Sequence, residues 1–209
     1  MTNTLTLTDI ANDALDLVGG LNIHDIEDET NPNSIICRRH MSQCIRAELD
    51  KYEWTCARKF KQAILVDLEA YPDAKIEGYL AYHLPADFSR LSQYFFSEHY
   101  PYRKNQYDLG HNYFLTSDYL YTRYPIKTIP YASNEVPINK WPQLLCDVMA
   151  AALAKRISKK VMGSDTDVAV IDALYRRAVS EARRQQVLQM EPSGTGMTDT
   201  QVARLMYYG

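Results

Sequence analysis

The sequence predicts an α+β fold: an antiparallel-type helical bundle split in sequence by an inserted small β domain, with an extended C-terminal tail. Three observations lead there. The apolar period is near 3.6 at both ends of the chain and near 2 in the middle, and helices and strands carry those two periods. The short strands are grouped between helices without βαβ alternation. Pro192, Ser193, Gly194 and Gly196 then interrupt the last helical pattern and read as a linker. The expected division is 1–57 with 140–190 for the bundle, 58–139 for the β domain and 191–209 for the tail.

The first helix is expected over 8–18, where Ile10, Ala14, Leu15 and Val18 share a face. Thr8 is the expected cap, and Gly19-Gly20 stop the helix. The connector "LNIHDIEDETNPNS" follows, with Ile23 and Ile26 as apolar anchors. A second helix is expected over 31–53, because Asn31 suits the cap and Pro32 the first helical position. Cys37, Met41, Cys44, Ile45, Leu49 and Tyr52 mark its apolar stripe, and Trp54 is expected to be buried just beyond it.

From Phe60 the strand-like runs are "FKQAILVDL", "EGYLAYHL", "RLSQYFF", "QYDLGHNYFLTS" and "YLYTRYPIKTIPY", broken by Pro, Gly, Asp and Asn. Helical period returns over 141–162, with Leu145, Val148, Met149, Ala152, Leu153, Ile157 and Val161 on one side. A fourth helix is expected over 165–189. Ser164, Asp165 and Asp167 crowd its start and favour its dipole, and Arg183 and Arg184 lie towards its end.

Apolar residues at 46% and charged residues at 23% are a globular composition. A net charge of −3 gives no broad basic footprint, so strong unspecific nucleic-acid binding is not expected. No run approaches the ~18–20 apolar residues of a membrane span. The N-terminus lacks the basic start and apolar run of a signal peptide. Cys37, Cys44, Cys56 and Cys146 lack disulfide-type spacing, which suits a reducing compartment. Of the sixteen tyrosines most fall between Tyr71 and Tyr131, where they either line a small β core or form a surface that meets partners.

The chemistry-bearing residues form no recognised catalytic pattern. Cys37, His40 and Cys44 share a helical face, with Cys56 nearby in sequence, but paired zinc-ligand spacings are absent and burial of the thiols is expected instead. No G-x-S-x-G, Walker or dinucleotide fingerprint occurs. The acidic pairs in the connector and at the fourth helix start are where solvated acids and caps sit. "RRAVSEARRQQ" reads as a solvated helix face or a subunit contact. No cofactor and no metal are expected. Pro85 fixes an extended approach and removes an N–H, so the stretch "LPADFSRL" reads as a rigid corner. Leu84, Pro85, Asp87 and Arg90 form it. Asp87 is expected to accept backbone N–H bonds of the turn, and Arg90 to pair with Asp87 or reach a neighbour.

Several separated stretches resemble one pattern: "IANDALDLVGGLNIHDIEDE", a Cys-bearing helix, "RAELDKYEWTCARK", "YHLPADFSRL" and "WPQLLCDVMAAALAKRIS". In this order they resemble the head-to-tail adaptors of short-tailed bacteriophages, also called tail tubular protein A. The likeness spans about 8–189. It implies a structural virion protein at the head-tail junction, made in the host cytoplasm and forming a ring, usually of twelve subunits in that family. The ring would sit between portal and tail nozzle, with tail fibres as possible partners, and DNA would pass without specific binding. Tyr100, Tyr102 and Tyr107 are the candidate tail-partner surface. Val202, Leu205, Met206, Tyr207 and Tyr208 are the candidate docking end for the portal or a neighbouring subunit. The competing readings are a tail-associated cell-wall hydrolase and, behind it, a nucleic-acid-binding module.

Overall fold

The computed structural model describes residues 5–92, 95, 112–163 and 167–189. The architecture is α+β: four helices and two small antiparallel three-stranded sheets, the sheets lying between the helix pairs in sequence. The chain divides into two compact units, one from residues up to Cys56 together with those from Val136 onward, the other Ala57–Glu135.

In the helical unit, α1 spans Leu7–Val18, α2 Pro32–Lys51, α3 Gln143–Val161 and α4 Val168–Gln189. The cap of α1 is Thr6, not Thr8. Thr6 Oγ1 accepts from Asp9 N at 3.2 Å, and the Asp9 carboxylate accepts from Thr6 N at 2.8 Å, a reciprocal box. Thr8 instead accepts from Ile26 N through its hydroxyl at 3.2 Å, which ties down the connector. Asn12 holds the same connector by both its amide groups, bonding Ile23 N at 2.8 Å and Ile23 O at 3.0 Å. Gly19 closes α1 with φ 73°, a left-handed conformation glycine adopts without strain. Asn31 caps α2 as expected, with Pro32 in the first turn. Asp167 accepts from Ala169 N at 3.0 Å at the start of α4; Ser164 and Asp165 lie outside the described residues.

The helix at the centre is α3, which packs against α1, α2 and α4. Its small residues explain this: Ala150, Ala151, Ala152 and Ala154 are all buried, and small side chains let three helices approach one another's backbones. Leu145, Val148, Met149, Leu153 and Ile157 fill the spaces between them. Gly20 is part of the same close packing. A Cβ there would lie 2.9 Å from Val161 Cγ1 and 3.0 Å from Leu15 Cδ2.

Trp54 is buried, and its indole N–H donates to Glu48 O at 2.9 Å. Glu48 is a buried carboxylate, 2% exposed, which the apolar stripe of α2 does not announce. It accepts from Lys51 Nζ at 2.6 Å and Tyr175 Oη at 2.9 Å, so the charge is neutralised and bonded.

In the β unit, β1 spans Arg58–Gln62, β2 Leu80–His83, β3 Phe88–Leu91, β4 Tyr113–Leu115, β5 Tyr119–Thr122 and β6 Thr128–Ser133. One sheet has the order β1-β6-β3 and the other β2-β5-β4. The run "YLYTRYPIKTIPY" is therefore two strands in two different sheets. Alternation along β2 and β5 sends Tyr82 and Leu120 into a core shared with Ile129 and Tyr131 of β6. Ala81 and Tyr121 point the other way and pack with Val66 and Ala74. Phe114 stacks on Tyr121 with ring centres 4.5 Å apart, so tyrosines on these strands are core-forming.

Candidate functional site

Three clusters of charged side chains among the described residues are candidates for a functional site. The first is the Leu84–Arg90 corner of the β unit. Phe88 N donates to Pro85 O at 3.1 Å and closes the turn, after which β3 begins. The Asp87 carboxylate accepts from Lys59 Nζ at 2.5 Å, Ser133 Oγ at 2.7 Å and Tyr131 Oη at 2.9 Å. The expectation that Asp87 binds the N–H groups of its own turn is corrected: its side chain reaches across the sheet. Its cation at ion-pair distance is Lys59 rather than Arg90. Partial burial opposes the Asp87 charge, but the hydrogen bonds from Lys59, Ser133 and Tyr131 outweigh it and hold the pKa at about 2. Tyr131 is pushed upward by burial and by the same carboxylate. This corner joins β1, β3 and β6 through one acceptor, which is a structural task.

The second place is a groove of about 620 Å³ in the helical unit, formed by α1, α3 and α4. Its floor is apolar, with Leu17, Ala150, Ala151 and Leu174. Its walls carry Asp13 and Asp16 from α1, Asp147 from α3 and Glu181 from α4, against one guanidinium, Arg177. Among the described residues none of these five makes an ion pair. Burial raises the pKa of Asp13, and repulsion from Asp147, Asp16 and Asp9 adds to it.

The third place is a basic patch of α2 and α3. Lys160 Nζ donates to His40 Nε2 at 2.8 Å. Desolvation lowers the His40 pKa, as do Lys160, Arg156 and Arg39, so the ring accepts as the neutral imidazole. Arg39, Arg156, Lys159 and Lys160 are exposed and make no ion pair among the described residues.

The cysteines behave as packing residues. Burial pushes the thiol of Cys37 up to about 11 and that of Cys44 to about 12, and Cys44 Sγ points at Met149 O, 3.8 Å away. Among the described residues no three His, Cys, Asp or Glu side chains come together as ligands for a metal. No described helix is long and apolar enough to cross a membrane. Tyr100, Tyr102, Tyr107, Val202, Leu205, Met206, Tyr207 and Tyr208 lie outside the described residues.

Sequence reasoning missed the groove because its acids come from three helices. One signal was readable: Asp147, Ala150 and Ala151 each stand nine positions before Arg156, Lys159 and Lys160. No protein-family model and no curated protein matches this chain.

Proposed function

We propose that this chain is a non-enzymatic structural subunit of a head-to-tail adaptor in a short-tailed bacteriophage. In this reading it forms a ring, of twelve copies by the family likeness, between the portal and the tail nozzle, and lines the channel through which the genome leaves. The observation that carries the reading is the "LPADFSRL" stretch, the most specific part of the resemblance. Its acid is committed to Lys59, Ser133 and Tyr131, which suits a rigid corner and leaves no nucleophile or base in waiting. The α+β architecture with a central Ala-rich helix suits the same role, since a ring subunit needs a stiff body.

The test is reconstitution. Purified protein added to portal-bearing, tailless capsids should sediment with them and restore nozzle attachment. A chain ending at Met190 should keep its helical spectrum and fail to join, because Val202, Leu205, Met206, Tyr207 and Tyr208 are the proposed docking end. Absence of binding by the full chain would overturn the reading.

A cell-wall hydrolase is the second reading, and one observation favours it. Asp13 has a raised pKa beside Asp147 in a groove, the condition of a general acid. Clearing of peptidoglycan by the purified chain, abolished by Asp13→Asn, would establish it in place of the adaptor.

A further inference from the structure

The acidic groove and the basic patch stand on opposite sides of the same helix. From Asp147 to Arg156, from Ala150 to Lys159 and from Ala151 to Lys160 is nine positions, about two and a half turns of helix. The residues that line the groove and those that form the patch therefore point about 180° apart around α3. Among the described residues neither surface is compensated by an ion pair. The groove holds four carboxylates against Arg177, and the patch holds Arg39, Arg156, Lys159 and Lys160 around a neutral His40.

We infer that the groove between α1, α3 and α4 receives the Arg156–Lys160 face of a second copy of this chain. The partner is argued from charge complementarity. A basic ridge inserted over Leu17, Ala151 and Leu174 would place its cations against Asp13, Asp147 and Glu181. Because donor and receiver surfaces differ and face opposite ways, the contact is heterologous. Such a contact repeats from copy to copy and closes as a ring or continues as a filament. The Lys155–Asp172 pair, at 2.5 Å, binds α3 to α4 beside this face and keeps Lys155 occupied within its own chain. The inference rests on the proposed ring, and adds which surfaces build it.

Charge reversal on exposed positions tests it. Asp13→Lys with Asp147→Lys spoils the groove, and Arg156→Glu with Lys160→Glu spoils the patch; all four positions are exposed, so circular dichroism and melting should be unchanged. In sedimentation velocity each double variant should associate at least ~10-fold more weakly than the parent. Mixed together, the two variants should regain assembly by alternating, since the intact patch of one meets the intact groove of the other and the Lys-bearing groove meets the Glu-bearing patch. The fourfold variant, with both charges exchanged, should regain the parental assembly. Parental assembly should also weaken with added salt. Rings that persist in both double variants would overturn this interface and leave the ring itself standing. A parent chain that stays monomeric up to ~1 mM, where even weak contacts register, would overturn interface and ring together.

Discussion

The two units keep their shape by different means. The helical unit is a close-packed apolar body around α3, where alanines set the helix spacing and larger side chains fill the gaps. The β unit has two small sheets, and its strands are short. It relies on aromatic stacking and on one carboxylate, Asp87, that joins three strands. Apolar packing is spread over many contacts and indifferent to pH. A hub of hydrogen bonds to one acid concentrates stability at one group and makes it titratable. Local stability should therefore fail in different ways in the two units.

The largest expected effect is in the helical unit. Trp54→Ala removes a buried indole and its bond to Glu48 O, and should cost about 3–5 kcal/mol in urea unfolding. Asp87→Ala should come next, at about 2–4 kcal/mol, because Lys59, Ser133 and Tyr131 lose one shared acceptor. Hydrogen exchange should place that loss in 57–135 and spare the helices. An equal loss of protection in both units would show that the two share one source of stability.

Acid sharpens the difference between the units. The folded Asp87 pKa of about 2 lies below its ordinary value of 3.8, so the stabilisation is complete above about pH 4 and disappears as pH falls towards 2. Exchange protection in 57–135 should show that window, and Asp87→Asn should remove it. Gly20→Ala should cost about 1–2 kcal/mol by crowding Val161 and Leu15, measurable as a lower melting temperature. The smallest effect should be Arg38→Ala. Its pairs with Glu27 and Glu29, at 3.3 and 3.4 Å, are exposed, and their loss should change stability by less than about 0.5 kcal/mol.

Much of the helical unit was legible because helices write their period locally. The strands were legible as a group, and their partition was not, since nothing local assigns β5 and β6 to different sheets. The cap of α1 was misplaced by two residues, at Thr8 instead of Thr6. The Thr6–Asp9 box is a readable signal, but the nearer Thr8 stands where the apolar face begins. The corner at Leu84–Arg90 was legible as a corner, because Pro85 acts on its neighbours. The partners of Asp87 were not, since Lys59 lies 28 positions away and Ser133 lies 46. Glu48 was hidden for the same reason: Tyr175, which helps to neutralise the cost of burying it, is 127 positions distant. The groove needed three helices to converge before its charge became a feature.

A ring built from copies of this chain is the proposed assembly. Averaged electron images of the purified protein, alone and on portal-bearing capsids, test it most directly. Closed rings of identical subunits around an open channel wide enough for duplex DNA are expected. Single subunits in both preparations, at concentrations where the capsids are saturated with protein, would contradict it.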